Sequence, residues 1–256
     1  MKALVLAAGY AIRLRPLTDE TAKPLLELGG RPIIDYICDR IEQAGDVAEL
    51  HVLSNGLFAA DFERWSAARK GRLHPHVLSD GSRSNEERLG AIAGIRLAVE
   101  QAGLEGEDLL VVAGDNVFDF SLGAELDFWR SRSEEGGGSA VSCVAVQRCP
   151  DSRLASLYGV VELDEKGRML DFVEKPSHPS GDLIATASYV FAAEHVALIA
   201  DYLAAGNSPD QPGNFLAWLQ EREPVYGYIF DGLWLDIGDR EQLHEADEIM
   251  RRRGER

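Results

Sequence analysis

The sequence predicts an α/β fold, a mostly parallel sheet with helices on both faces. Three observations predict it. Strand and helix signals alternate through the first half of the 256 residues. The run Leu109-Leu110-Val111-Val112-Ala113 is apolar without alternation, the pattern of a strand covered on both sides. Hydrophobic residues make up 45% of the chain, enough for a sizeable core in one large domain, residues 1–256.

The first strand is the apolar run 2–7, too short for a signal peptide. Residues 32–44 read as a helix, with Pro32 near its first turn and Gly45 at its end. A strand at 49–54, a helix at 59–69, a strand at 73–78 and an amphipathic helix at 86–101 follow. That βαβ order makes the sheet parallel. The second half is richer in strands, at 139–147, 159–163, 169–174 and 186–191. Gly136-Gly137-Gly138 marks an exposed loop. Helices at 194–204 and 214–221, a strand at 225–230 and a helix at 240–253 close the chain.

The formal net charge of −17 argues against nucleic acid or an anionic membrane as a partner. No segment approaches the roughly 20 apolar residues that span a bilayer. Cys38, Cys143 and Cys149 form no CxxC pair, and Cys38 and Cys143 sit in apolar surroundings as core thiols. A soluble, cytoplasmic protein is expected. Residues 1–31 break the acidic trend: five cations against three carboxylates, a net of 5 − 3 = +2.

That local charge accompanies a turn. The first strand ends at Ala7-Ala8-Gly9, Arg13 and Arg15 follow, and Lys23 stands ten residues after Arg13, before Pro24. A turn of free backbone N–H groups with fixed cations suits a polyphosphate. Gly9-Tyr10-Ala11-Ile12-Arg13-Leu14 has only the first glycine of G-x-G-x-x-G, and no Walker A sequence exists. Hydride transfer and P-loop ATPase chemistry are therefore unsupported.

Gly114-Asp115-Asn116 follows the buried strand 109–113. A carboxylate there needs neighbouring N–H donors or a cation. Asp236, in Trp234-Leu235-Asp236-Ile237-Gly238, is a second carboxylate with apolar flanks. Two aspartates on separate elements suit Mg²⁺, which takes few protein carboxylates plus phosphate oxygens. Val173-Glu174-Lys175-Pro176 closes a strand: either a surface ion pair, or a carboxylate for sugar hydroxyls beside an ammonium for a phosphate. Gly159, in Tyr158-Gly159-Val160, would let a flat ligand approach, and Thr186 at a strand start could add a hydroxyl. Open α/β sheets bind ligands outside the carboxyl ends of their strands, where Gly9, Asp115 and Glu174 all fall. The six histidines show no metal spacing, no G-x-S-x-G elbow exists, and the arginines at 251–253 suit a helix C-terminus.

Together, Leu6-Ala7-Ala8-Gly9…Arg13-Leu14…Pro16-Leu17-Thr18…Lys23-Pro24-Leu25, Gly114-Asp115-Asn116, Tyr158-Gly159-Val160, Val173-Glu174-Lys175-Pro176 and Trp234-Leu235-Asp236-Ile237-Gly238 resemble, in order, the motifs of the sugar-phosphate nucleotidyltransferase (nucleoside-diphosphate-sugar pyrophosphorylase) family. The nearest subgroup is the short glucose-1-phosphate thymidylyltransferase-like enzymes. The resemblance implies a Rossmann-like three-layer α/β/α fold with a mostly parallel mixed sheet. Residues 1–135 would hold the nucleotide and 136–256 the sugar phosphate. It implies condensation of an NTP, dTTP favoured, with a sugar 1-phosphate, glucose 1-phosphate favoured, giving NDP-sugar and pyrophosphate, with Mg²⁺ as cofactor on Asp115 and Asp236.

By the same resemblance, Arg13, Lys23, Asp115 and Asp236 carry the chemistry. Leu6, Ala8, Gly9, Tyr10, Ala11, Arg13, Asp80, Asn85 and Gly90 bind the nucleotide. Asn116, Tyr158, Gly159, Glu174, Lys175 and Thr186 bind the other substrate. The chain departs from the family's G-x-G-[TS]-R by Ala11 and Ile12, has Ala22 where proline is usual, and lacks the usual glutamine pattern in the base-reading segment 78–90. No appended left-handed β-helix domain is expected, and homo-oligomerisation is left open. Two other readings remain: a cytidylyltransferase acting on phosphocholine, inositol phosphate or another phosphorylated acceptor, and an inactive regulatory homologue that binds nucleotide sugars.

Overall fold

The computed structural model describes residues 1–149, 151 and 154–254. In chain order the elements are β1 (Lys2–Ala7), β2 (Glu27–Leu28), β3 (Arg31–Pro32), α1 (Ile33–Gln43), β4 (Glu49–Ser54), α2 (Ala59–Ala68), β5 (Pro75–Ser79), α3 (Ala91–Ala102), β6 (Leu109–Ala113), β7 (Asn116–Phe118) and α4 (Leu122–Glu135). There follow β8 (Ser142–Arg148), β9 (Gly159–Leu163), β10 (Met169–Glu174), β11 (Leu183–Phe191), α5 (Ala193–Ala197), α6 (Ile199–Ala204), α7 (Pro212–Gln220), β12 (Val225–Ile229), β13 (Trp234–Asp236) and α8 (Arg240–Gly254).

One nine-stranded sheet runs β10-β9-β11-β6-β1-β4-β5, with β8 paired to β11 and β12 paired to β8. It is the expected mixed sheet. β6, β1, β4 and β5 are mutually parallel. β11 runs antiparallel to β6, β8 and β9. Side-chain alternation in β1 divides the core between the two faces. Ala3, Val5 and Ala7 pack with Ile33, Ile37 and Ile41 of α1, Phe62 of α2 and Leu126 of α4. Leu4 packs on the other face with Ile92 and Ile95 of α3, Tyr202 of α6 and Phe215 of α7. The result is the three-layer arrangement. Cys38, Cys143 and Cys149 are buried free thiols.

Three differences from the sequence reading matter for the site. The helix expected at 86–101 begins only at Ala91, because Gly90 has φ +89°, outside the helical region, and residues 85–87 form a separate 3-10 turn. Helix α4, capped by the Ser121 hydroxyl accepting from Ala124 N–H, was not expected at all. Its apolar positions are interrupted by Glu125, which is nevertheless fully buried. The short ribbon of β7 and β13 was likewise missed. It pairs Asp236 with Asn116 and brings the two aspartate motifs side by side.

Candidate active site

Parallel pairing of β1 with β6 sets Leu6 against Ala113, so the turns after both strands open at the same edge. Gly114 N–H donates to the Leu6 carbonyl at 2.8 Å, and a Cβ on Gly114 would lie 2.8 Å from that oxygen. Only glycine permits this approach, which brings Asp115 to the turn after β1. A Cβ on Gly9 would meet nothing within 4 Å, so the space above that turn is open. Ala11 adopts φ 45° and ψ 46°, the left-handed conformation for which glycine is usual. The cost, about 1 kcal/mol, is accepted in a loop tied by Thr18 Oγ1 and Leu14 N–H, both donating to the Ala11 carbonyl. Ala22, with φ −59° and ψ 139°, keeps the backbone that proline would impose.

Leu6, Ala7, Gly9, Ala11, Arg13, Lys23, Pro24, Asp115 and Gly238 line a cavity of about 170 Å³. Lys23 is 8% exposed, and its Nζ donates to Asp115 Oδ2 at 2.7 Å. Arg13 lies against the other aspartate motif, where a Cβ on Gly238 would come 3.3 Å from Arg13 Nη2. Burial, and then the charge of Asp115, push the Asp236 carboxyl up to about 6, while Lys23, Arg13 and Lys175 oppose them. Charges from every motif therefore act on one carboxylate.

Asn116 binds within this cluster: Nδ2 donates to Asp115 Oδ1 at 2.8 Å, and Oδ1 accepts from Trp234 Nε1 at 2.7 Å. It is only 4% exposed and orients Asp115, where the sequence reading gave it a substrate contact. No group of three or more His, Cys, Asp or Glu side chains suited to a metal occurs among the described residues. A two-carboxylate Mg²⁺ seat needs no such group. Asp115 and Asp236 are a candidate pair for one: the β7–β13 ribbon sets Asp236 opposite Asn116, next to Asp115, and burial, with repulsion by Asp115 second, raises the Asp236 carboxyl, a cost that a bound cation would relieve.

A second cavity, about 160 Å³, shares Leu6 and Gly9 with the first and adds Ala8, Leu53, Asp80, Arg88, Gly90, Ala91, Gly94 and Asp210. Gly90 is needed twice over, for its positive φ and because a Cβ would lie 2.5 Å from the Pro209 carbonyl oxygen. Ala91 N–H and Ile92 N–H donate to the Asp210 and Pro209 carbonyls, so the N-terminus of α3 fixes residues 209–210. Arg88 and Asp210 were not singled out from the sequence. The Asn207-Ser208-Pro209-Asp210 loop before α7 was the only signal for the latter. Asn85, expected in the same pocket, lies in an adjoining outer groove, its Oδ1 accepting from Arg88. Tyr10 is buried and its hydroxyl meets Ser82 Oγ at 2.9 Å, so it supports the pocket wall and does not face the phosphate turn.

On the other side, Glu174 ends β10, opposite Gly159 of β9. It reaches the site through an antiparallel strand, not a parallel one. A Cβ on Gly159 would collide with the Phe172 ring and one on Gly213, in the first turn of α7, with Glu174 Oε2. The space that a side chain at 159 would take is thus filled by Phe172 and Glu174. Burial raises the Glu174 carboxyl above its ordinary value, against the pull of Lys175, whose Nζ stands 3.8 Å away. Tyr158 packs edge-on to Trp234 with ring centroids 5.1 Å apart, and burial plus Asp236 push its phenol up to about 12. The charges of Glu174 and Asp115 both act on Tyr189, so the two halves share one region. Thr186 does not reach it. It lies inside β11, 2% exposed, and its hydroxyl donates to the Ala145 carbonyl where β11 and β8 shift register.

A serine–histidine–glutamate contact exists elsewhere, with Ser142 Oγ 2.8 Å from His195 Nδ1 and Glu223 Oε2 3.7 Å from His195 Nε2. Ser142 and His195 are fully enclosed, so this contact ties α5 to β8 and presents no nucleophile. No helix among the described residues is long and apolar enough to cross a membrane.

Comparison with known proteins agrees with this architecture. A structure of apo UDP-glucose pyrophosphorylase superposes with a TM-score of 0.81 at 19% identity, covering 99% of both chains. UDP-glucose pyrophosphorylase complexed with UDP-glucose gives 0.80 at 20% identity over 98% of both. A protein described as a glucose-1-phosphate thymidylyltransferase from Bacillus anthracis, in complex with a sucrose, gives 0.77 at 19% identity, over 98% of this chain and 95% of that one. At such identities the likeness concerns the fold. The family model for nucleotidyl transferases matches residues 2–253, and with that match over nearly the whole length the chain belongs to the nucleotidyl transferase family.

Proposed function

We propose that this protein condenses a nucleoside triphosphate with a sugar 1-phosphate, giving a nucleoside-diphosphate sugar and pyrophosphate. The observation that carries this reading is the meeting of Asp115, Lys23, Arg13 and Lys175 around Asp236. Two acidic ligands and three cations at one sheet edge suit a reaction that must bring two anions together. Within the substrate classes, dTTP and glucose 1-phosphate are the preferences of the sequence, and the phosphate machinery is blind to both choices.

In this reading a phosphate oxygen of the sugar 1-phosphate attacks the α-phosphorus in line. The new P–O bond forms as the α–β bridge breaks, and the electron pair leaves with pyrophosphate. No covalent intermediate is required, so catalysis is positioning plus charge neutralisation. The open turn over Gly9 offers N–H groups to the β- and γ-phosphates, and Arg13 adds its fork. Lys23, held by Asp115, stands where the two phosphates meet. Mg²⁺ held by Asp115 and Asp236 would screen the repulsion between them. Asn116 keeps Asp115 in place through Trp234. Glu174 accepts from sugar hydroxyls and Lys175 meets the sugar's phosphate.

The test is pyrophosphate release by the purified protein with Mg²⁺, using five NTPs against glucose 1-phosphate, other sugar 1-phosphates, phosphocholine and inositol phosphate. Release that requires a sugar 1-phosphate supports the proposal. Release only with a non-sugar acceptor, or none with any pair, removes it.

A further inference from the structure

The first turn of α8 meets the phosphate edge from outside the two cavities. Asp239 caps the helix: its Oδ1 accepts from the N–H groups of Glu241 and Gln242, both at 3.0 Å. Gln242 turns back, and its Oε1 accepts from Gly238 N–H at 2.7 Å. Gly238 lines the phosphate cavity, and a Cβ there would lie 2.8 Å from Gln242 Oε1 and 3.3 Å from Arg13 Nη2. Gln242 and Arg13 therefore converge on one glycine, two residues beyond Asp236. A second contact is made by Arg240, whose Nη2 donates to the Arg15 carbonyl. Residues 11–21 otherwise bond to themselves: Leu14 N–H and Thr18 Oγ1 to the Ala11 carbonyl, Leu17 N–H to Leu14, Asp19 N–H to Pro16, and Arg15 Nε to Asp19. Among the described residues, no hydrogen bond but that of Arg240 ties this stretch to the rest of the chain. Leu14 is its buried apolar anchor, while Ile12 and Leu17 are half-exposed. The helix on which it leans is fixed along its length. Leu243, Ala246 and Met250 pack on the core, Gly29 N–H donates to Asp247 Oδ1 at 2.8 Å, and Arg253 Nη1 donates to Asp119 Oδ2 at 2.8 Å.

We propose that Arg240 and Gln242 are positioning residues for the phosphate chemistry, Arg240 for the turn that carries Arg13 and Gln242 for the segment 236–238. The inference rests on the nucleotidyltransferase reading given above and deepens it. Neither side chain lines either cavity, so neither is a catalytic residue. An arginine on an exposed turn delivers its charge to a phosphate only as accurately as the turn is held. The Arg240 fork, fixed at the start of a packed helix, restrains Arg15, two residues from Arg13. Gln242 holds Gly238 against the same Arg13 guanidinium, and so fixes the far end of the segment whose near end is the Asp236 pairing with Asn116. If the two side chains served only to start α8, their loss would lower stability and change the constants for both substrates alike.

The experiment compares Arg240→Ala, Arg240→Lys and Gln242→Ala with the wild type in the full chain, each checked by circular dichroism and urea unfolding. Arg240→Ala is expected to speed amide hydrogen exchange at residues 12–19 and to leave β4 unchanged. In pyrophosphate release at saturating Mg²⁺ it is expected to raise the KM for the nucleoside triphosphate by about tenfold and to keep that for the sugar 1-phosphate within about twofold. Arg240→Lys keeps a donor and is expected to restore most of the loss. Gln242→Ala is expected to raise the Mg²⁺ concentration at half-maximal rate several-fold, with the sugar-phosphate KM unchanged. Unchanged exchange and an unchanged nucleotide KM in Arg240→Ala overturn the inference. So does an equal rise in both KM values with a lowered urea midpoint. Both results leave the proposed reaction standing. A wild-type protein that releases no pyrophosphate with any pair overturns both. Arg240 is exposed, so its variants decide the matter even if Gln242→Ala does not fold.

Discussion

Lys23 Nζ lies 2.7 Å from Asp115 Oδ2, with the lysine side chain 9% exposed and the aspartate 37%. The cation is thus held in place before any substrate arrives, and its partner faces the cavity. Lys23→Ala is expected to lower kcat/KM by about 10²-fold or more, on the order of 3 kcal/mol of transition-state stabilisation. Pyrophosphate release measures it, alongside a circular-dichroism spectrum. Full activity in a folded variant would remove Lys23 from the mechanism.

The proposed cation seat makes a separate prediction. Chelation with EDTA is expected to abolish turnover, and added Mg²⁺ to restore it. Asp236→Asn takes away one of two carboxylates and is expected to raise the Mg²⁺ concentration at half-maximal rate by about tenfold or more. A rate indifferent to EDTA would contradict the seat.

Glu174 depends on two glycines for its position. A methyl at Gly213 would collide with its Oε2, and one at Gly159 would strike Phe172 and come 3.1 Å from the same oxygen. Gly213→Ala should favour a helix by propensity alone. It is nevertheless expected to raise the KM for the sugar phosphate by roughly tenfold, by displacing the carboxylate. The KM for the nucleotide should stay within about twofold, because Glu174 lines neither of the two cavities at the β1 turn. Equal rises in both constants would argue against separate subsites.

Stability should fall with pH because of Glu125. It is completely buried on α4, its Oε2 accepts from Ser188 at 2.8 Å, and its Oε1 has no partner among the described residues. Burial pushes the carboxyl up from an ordinary 4.5 to about 8, with Ser188 opposing. The unfolded chain releases this proton near pH 4.5 and the folded chain only near 8. The associated stability is complete below pH 4.5 and is lost as pH rises through 8. Glu125→Gln is expected to flatten the change in urea midpoint between pH 5 and 8. An unchanged slope would show that other groups set it.

The periodic segments were legible in the sequence because their cause is local. β1, α1, β4 and β6 carry their burial pattern in their own apolar spacing, and their parallel order follows from the helices between them. The order of the motifs was legible too, since Asp115 and Glu174 close or follow a strand, Arg13 and Lys23 stand in the loop after β1, and Asp236 has apolar flanks. α4 and the β7–β13 ribbon were not legible. The helix buries a glutamate in its apolar face, and strands of three residues have no period to detect.

By itself, then, the chain's chemistry determined the α/β class, the parallel half of the sheet and the charged residues worth watching, because residue spacing and charge are properties of short stretches. Only the tertiary structure decided which side chains line the two cavities. Tyr10, Asn116 and Thr186 look like ligand residues in a one-dimensional reading, yet their polar atoms are taken by Ser82, by Asp115 and Trp234, and by Ala145. Asp210 has no motif around it, and stands in the second cavity because the N-terminal N–H groups of α3 hold residues 209–210 there. Hydrogen-bonding capacity belongs to a residue, but whether it is left over for a substrate depends on partners far away in the chain.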